Sequence, residues 1–365
     1  PKIMKYLLMA LAFLISVFIA RMIIPRILLI SYRKKLFDSQ EERKVHKGAI
    51  PRLGGVSFFP TILFSCCGVL AFYNLFGYYV STLHDDRILS EMLLLVCGLV
   101  LLYLTGIADD LIGVRYGNKM AVQLVSACLF PLSGLWINDL YGLFGLGMIP
   151  QFWGGLLTVL VVILITNAIN LIDGIDGLAS GLSSVSLVVL GALFLEREMW
   201  SCSLIAFSSF GVLVPFFYYN VFGKAERARK IFMGDTGSLT LGYILSFLAI
   251  KYSQNLDGIP KEHGPLVIAF STLLVPVFDA IRVAIVRMYK GRNPFEPDKT
   301  HIHHLFLKMG FTVRQALLMI LLLSCILSGL NIWLIPYVEN TVMLLLDMLV
   351  WIGLNIWWMK RIKMV

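Results

Sequence analysis

The sequence predicts an all-α integral membrane protein with about eleven transmembrane helices and a polar site at their cytoplasmic ends. Three observations carry this expectation. Hydrophobic residues make up 58% of the 365 residues and charged residues only 15%, with a mean hydropathy of +0.83. A soluble domain carries about 25% charge, so this chain has too little polar surface to face water on every side. Apolar runs close to the ~20 residues needed to cross the hydrocarbon recur along the whole chain. The charges gather in the short segments between those runs.

Taken in order, the runs lie near 5–30, 53–73, 88–108, 119–136, 153–170, 178–195, 200–219, 237–252, 265–287, 313–335 and 341–358. The first is too long for a signal-peptide core of roughly 7–15 residues, and no small-residue cleavage site follows it, so it reads as a retained helix. The eighth is short and the most weakly marked of the eleven. No long soluble insert remains, so residues 1–365 read as one polytopic membrane domain. The six cysteines all sit within apolar runs without a CxxC pair, which suits small apolar filler.

Eleven crossings put the termini on opposite sides. The loops at 31–52, 109–118, 220–236 and 288–312, the tail after 358 and their borders hold 22 Lys and Arg, against six in the opposite set. The positive-inside rule makes the first set cytoplasmic, with the N-terminus outside and the C-terminus inside. The net charge of +9 then reads as orientation and attraction to anionic membrane lipids or phosphate, and no nucleic-acid partner is expected.

The cytoplasmic set also carries five polar signatures. The first runs Arg43-Lys44-Val45-His46-Lys47-Gly48 into Pro51-Arg52-Leu53-Gly54-Gly55. Asp109-Asp110, with Lys119 nine residues on, is the second. Two adjacent carboxylates repel unless a cation compensates, although a helix end can be acidic simply to stay wet. Asn167, Asn170, Asp173, Gly174, Asp176 and Gly177 form the third. A straight helix would turn Asn167 and Asp176 to opposite sides, so the glycines predict a break near Asp173 that lets the polar groups converge. The fourth, Phe232-Met233-Gly234-Asp235-Thr236-Gly237-Ser238, precedes a span, where backbone N–H groups favour anions. Asp235 there suits either a ligand or an N-cap. The fifth runs from Asp298 through His301-Ile302-His303-His304, beside Arg292, Lys299 and Lys308. It admits zinc, a solvated loop, or phosphate and sugar contacts; with no cysteine nearby, the last is favoured. Carboxylates beside many basic groups suit a hard divalent cation plus phosphate oxygens. Asp279 and Arg282, inside the ninth run, are spaced to pair on one helix face as a structural ion pair.

In this order the five signatures resemble the polyprenyl-phosphate N-acetylhexosamine-1-phosphate transferases, the superfamily of the MraY, WecA and TagO enzymes. The resemblance extends from Arg43 to Leu305. The stretches Pro276-Val277-Phe278-Asp279-Ala280-Ile281-Arg282, Arg292-Asn293-Pro294-Phe295 and His301-Ile302-His303-His304 are similar to the WecA/TagO branch. Ile302 interrupts the three consecutive histidines of the muramyl-pentapeptide enzymes.

The resemblance implies transfer of N-acetylhexosamine 1-phosphate, chiefly GlcNAc 1-phosphate, from the UDP-sugar to undecaprenyl phosphate, releasing UMP. That reaction is the first membrane step of an envelope polysaccharide such as O-antigen or teichoic acid, at the bacterial inner membrane. It implies Mg2+, for which Mn2+ can substitute, on Asp235, with Asp109 and Asp110 as further candidate ligands. Asp109 and Asp110 match the pair assigned to lipid-phosphate activation. Asn170, Asp173 and Asp176 match the nucleotide-binding loop, Asn220 a uridine contact and Phe232 a ring stacked on uracil. Lys119 matches a phosphate-binding lysine. Arg292, His301, His303 and His304 match the sugar-recognising loop, while His46 and Lys47 lie in the other basic loop. The superfamily also admits homodimers. The alternatives are a phospho-MurNAc-pentapeptide or other UDP-sugar transferase, a covalent Asp–phosphosugar route, and, from a different class, an anion transporter. The transporter would want midplane charges and internal repeats, and the acidic motifs do not repeat.

Overall fold

A computed structural model describes residues 2–37, 50–75, 86–256, 264–291 and 300–364. Each of the eleven predicted runs is helical. In chain order they are α1 (Lys2–Lys34), α2 (Phe58–Leu75), α3 (Asp86–Ile112), α4 (Tyr116–Leu132), α5 (Gln151–Ile172), α6 (Leu178–Glu196) and α7 (Trp200–Phe217). Then come α8 (Gly234–Ser253), the pair α9 (Pro265–Ser271) and α10 (Leu274–Tyr289), the short α11 (Ile302–Lys308), α12 (Val313–Leu334) and α13 (Asn340–Met364). Among the described residues eight helices are long and apolar enough to cross a membrane, or nine if α9 and α10 count as one bent span. The chain is therefore an all-α, multi-pass membrane protein.

Besides the short α11, the helices outside that set are α4, with 17 residues, and α8, with 20. For α8 the reason is position. Every residue from Thr236 to Ser253 is buried, and the helix packs against α3, α5, α6 and α9. A helix enclosed by helices need not be apolar enough for lipid. Its hydroxyls are satisfied internally, Thr240 donating to the Thr236 carbonyl and Ser246 to the Gly242 carbonyl, each at 2.7 Å. Small residues allow the close approach. A Cβ on Gly242 would lie 2.6 Å from Thr166 Cα of α5, and one on Gly106 of α3 would lie 2.7 Å from the Thr236 backbone nitrogen.

The ninth run is broken: α9 and α10 meet at 79°. A break in a span frees carbonyls that only protein can satisfy. Ser186 of α6 donates to the Thr272 carbonyl at 2.8 Å, and Ser328 of α12 to the Ser271 carbonyl at 3.2 Å.

At one end of the bundle the α4–α5 connection forms an unpredicted hairpin, β1 (Asp139–Leu143) antiparallel to β2 (Leu146–Met148). Tyr141 donates to the carbonyl of Ser253, the last residue of α8, at 2.7 Å, and Asn340 of α13 donates to the Tyr141 carbonyl. Just inside this end Lys251 of α8 is ion-paired with Glu91 of α3 at 2.5 Å. The other end of α8, about 30 Å away at 1.5 Å per residue, holds the motifs.

Candidate functional site

The site is built around the first turn of α8. Met233 at its N-cap offers no side-chain cap. The cap comes from α3 instead. Asp110 accepts from the Asp235 N–H at 2.7 Å on one oxygen, and from the Thr236 N–H at 3.0 Å and the Thr236 hydroxyl at 2.6 Å on the other. These are donors that a helix N-terminus otherwise leaves orphaned. Asp110 is thus spent on holding α8, which leaves the Asp235 side chain to point elsewhere.

Its neighbour Asp109 behaves differently. One oxygen accepts from the Val114 N–H at 2.6 Å; the other lies 3.1 Å from Lys119 Nζ in the first turn of α4. Lys119 also pairs with Asp235, and so bridges the two carboxylates. The opposite oxygen of Asp235 accepts from Asn170 of α5 at 2.9 Å, and Asn170 donates to Ser238 at 2.8 Å. The Asp235 side chain is 31% exposed, against 16% for Asp109 and 12% for Lys119. Asp235 is therefore the member of this group most accessible to an approaching phosphate.

Among the described residues no group of three or more His, Cys, Asp or Glu is arranged to hold a metal by itself. Magnesium does not require one; it takes one or two carboxylates and completes its shell with water and substrate phosphate. Asp235 and Asp109 fit that donor set, because a cationic ammonium already lies between them. Asp110 does not fit it, since both its oxygens are committed to α8.

The predicted break after α5 is present. The helix ends at Ile172, with Asp173 at its C-cap, and α6 begins after Gly177, whose φ of +81° favours glycine. The polar series divides at this end. Asn167 turns to Gln123 of α4 at 2.7 Å, whereas Asn170 turns inward to Asp235. Asp176 pairs with Lys230 at 2.5 Å. Asn220, from the π-helical turn Tyr218–Phe222 that continues α7, accepts from the Gly177 N–H at 2.6 Å and donates to the Ile231 carbonyl at 2.8 Å. Its amide holds the 173–177 turn against the 230–232 segment rather than reaching outward.

That segment also carries the end of the first signature. The Phe232 N–H donates to the Pro51 carbonyl at 2.9 Å, and the N–H groups of Gly54 and Gly55 donate to the carbonyls of Phe232 and Met233 at 3.0 and 2.8 Å. These bonds fix the backbone of Phe232, a half-buried residue. His46, Lys47 and Arg292, with Asp298 and Lys299, lie outside the described residues.

The histidines form a row. The rings of His301 and His303 are parallel with centroids 5.8 Å apart, and those of His303 and His304 are 4.1 Å apart. His303 lies against Gly174, where a Cβ would be 3.1 Å from its Cδ2. Burial, helped by the neighbouring histidines, pushes the His303 imidazole down to about 3, so it packs as a neutral ring. Asp279 does pair with Arg282, at 2.7 Å, as its spacing predicts. It also binds His301 at 2.8 Å, a contact that spacing within the run did not reveal.

The second to fourth signatures, the His301–His304 part of the fifth and the Pro51–Gly55 part of the first thus meet at one end of the bundle. Lys230 is the residue that sequence reasoning missed. It sits in a loop with Lys224, Arg227 and Arg229, and nothing in the sequence separates the one buried lysine from its solvated neighbours.

Residues 92–253, which include Asp109, Asp110, Asn170, Asp173, Asp176 and Asp235, match the family model described as glycosyl transferase family 4. The chain is 32% identical over 300 residues to the undecaprenyl-phosphate alpha-N-acetylglucosaminyl 1-phosphate transferase of Salmonella typhi, covering 81% of this chain and 76% of that one. The protein of the same name from Escherichia coli K12 is 30% identical over 301 residues, with the same coverage. A probable undecaprenyl-phosphate N-acetylglucosaminyl 1-phosphate transferase of Bacillus subtilis strain 168 is 32% identical over 325 residues, covering 87% of this chain and 82% of that one.

Proposed function

Because the chain belongs to the family of undecaprenyl-phosphate N-acetylglucosaminyl 1-phosphate transferases, we propose that it transfers N-acetylglucosamine 1-phosphate from UDP-GlcNAc to undecaprenyl phosphate at the cytoplasmic face of a bacterial inner membrane. One observation supports this most: Asp109, Lys119, Asn170 and Asp235, from four helices, converge at one end of a membrane bundle, with Asp110 fixing the helix that carries Asp235.

In the reaction an oxygen of the lipid phosphate attacks the sugar-bearing phosphorus of the donor. A new P–O bond forms, the bond to the bridging oxygen breaks, and UMP leaves with that oxygen. Asp109 is the better placed of the adjacent acids to take the acceptor's remaining proton, since a phosphate's second pKa is near 6 and Asp110 is occupied. Lys119 offsets the charge of two phosphates brought together. Asn170 orients Asp235, and the Asp176–Lys230 pair shapes the turn that receives the nucleotide, with Phe232 offering a ring to the base. A bound Mg2+ would sit on Asp235 with Asp109 beside it and supply charge neutralisation to the diphosphate. His301 and His304 would face the sugar, with Arg292, His46 and Lys47 contributing from the basic loops. Such a site gives a lipid acceptor access to its head group while its tail stays in the bilayer.

The test is UMP release by purified protein given undecaprenyl phosphate and a panel of UDP-sugars, in Mg2+ or EDTA. Release is expected with UDP-GlcNAc, lost in EDTA and restored by Mg2+, and lost in Asp235→Ala. Silence across the panel in Mg2+ would refute the transferase; parent-like activity of Asp235→Ala would refute the metal site.

A further inference from the structure

Asp279 lies inside a predicted span, fully buried, and the transfer scheme above gives it no task. Its two oxygens are used differently. Oδ1 accepts from Arg282 Nη2 at 2.7 Å and from the Ile302 N–H at 3.0 Å. That pairing alone would answer the needs of a structural buried acid, charge and hydrogen bond together. Oδ2 is engaged by His301 Nδ1, at 2.8 Å. Arg282 also donates to the Thr300 carbonyl, so the residue before His301 is anchored to the same pair. Three consecutive residues, Thr300 to Ile302, are therefore pinned to α10 through one carboxylate and its arginine.

A carboxylate paired with arginine only accepts, so His301 bears a hydrogen on Nδ1; the neutral form of the ring then has its lone pair on Nε2. The rest of the row secures the ring plane. His303 stacks parallel to His301 and is itself lodged on the Gly174 turn, so the row abuts the turn between α5 and α6. Both nitrogens of His303 are sealed in without partners among the described residues, so His303 cannot substitute for His301 as an oriented contact.

We propose that Asp279 is a positioning residue for the nucleotide-sugar donor: by holding Nδ1 of His301 it sets the tautomer and direction in which His301 presents Nε2 to the sugar. This rests on reading the site as a UDP-sugar transferase. Asp279 touches no reacting atom; it acts through His301, as an outer carboxylate orients a histidine in many sites.

The test uses Asp279→Asn, which keeps size and an acceptor for Arg282 but can turn an amide N–H toward Nδ1 and so favour hydrogen on Nε2. 15N spectra of histidine-labelled full-length protein in lipid nanodiscs, with His301 assigned by its loss in His301→Gln, should show hydrogen on Nδ1 in the parent and on Nε2 in Asp279→Asn. Activity toward UDP-GlcNAc should fall about 10–100-fold in kcat/KM, with KM for undecaprenyl phosphate unchanged. In a His301→Gln background Asp279→Asn should cause no further loss, because both changes remove one interaction. An equal loss in both backgrounds, or Nε2–H in the parent, overturns the proposal. The parent spectrum decides this even where a variant fails to fold. A parent that releases no UMP with any UDP-sugar would refute the transferase reading, while the spectra would still decide whether Asp279 sets the tautomer.

Discussion

Asp109 and Asp110 are adjacent in sequence and distinct in duty. Successive residues on a helix point about 100° apart, so one carboxylate meets the α8 terminus and the other meets Lys119. The sequence makes the two equivalent, and no spacing rule ranks them. The physical distinction is the partner: both Asp110 oxygens accept from the first turn of α8, whereas one Asp109 oxygen faces the Lys119 ammonium that also meets Asp235. Replacing Asp110 by Ala removes a cap from a buried helix end, a loss of about 1–2 kcal/mol. A lower midpoint in thermal unfolding of Asp110→Ala is therefore expected, together with loss of UMP release because Asp235 moves. Asp109→Asn should unfold like the parent yet lose about 10²–10⁴-fold in kcat, the range for a general base. The assignment would have to be exchanged if Asp109→Asn proved unstable and Asp110→Ala stable and slow. The same reasoning separates Asn170, whose amide serves Asp235, from Asn167, one turn earlier, which only ties α5 to α4.

At the level of elements, α8 positions the site because it is surrounded, and glycines let its neighbours come close. Gly242 meets backbone atoms of Thr166, and backbone cannot rotate aside as a side chain can. Gly242→Val should overpack this contact, lowering stability by about 1–3 kcal/mol and displacing Asp235. A Cβ on Gly329 of α12 would meet nothing within 4 Å, so Gly329→Ala should stay within about 0.5 kcal/mol of the parent. Thermal unfolding of the two variants side by side checks the claim; equal midpoints would show that α8 is not tightly held. Helix positions were legible in the sequence because every apolar run is helical and all but the ninth hold a single α-helix, even for α8. Its true extent was obscured because a helix facing only protein may hold Thr236, Ser238, Thr240 and Ser246, and so loses the lipid signature. The break between α9 and α10 was only weakly marked. Ser271-Thr272-Leu273 itself contains neither glycine nor proline; the nearest sign is Pro276 in the first turn of α10, which lacks the N–H that would reach the Thr272 carbonyl, and the hydroxyls that satisfy the Thr272 and Ser271 carbonyls come from Ser186 and Ser328, far away in sequence. The Asp279–His301 contact was hidden for the same reason, since it joins residues 22 apart from two elements.

For the whole molecule, the decisive quantity is the distribution of charge between the two ends. The hairpin end carries the Lys251–Glu91 pair, whose charges offset each other, while the site end adjoins loops and tail holding most of the 31 Lys and Arg. A basic rim does two things there. In the orientation proposed above it would retain that end in the cytoplasm during insertion and raise the local concentration of a donor bearing a diphosphate. A UDP-sugar cannot cross the bilayer, so sidedness has a direct functional readout. Sealed inverted inner-membrane vesicles containing the protein should release UMP from added UDP-GlcNAc without detergent. Sealed right-side-out vesicles should be silent until detergent opens them, and then reach the same rate per protein. Steering adds a second signature: raising salt should increase KM for the nucleotide sugar with less change in kcat, because screening weakens long-range encounter more than the close, half-buried Lys119 contacts. Full activity in right-side-out vesicles, with none gained on permeabilisation, would place the Asp109–Lys119–Asp235 end outside and reverse the orientation inferred from the loops.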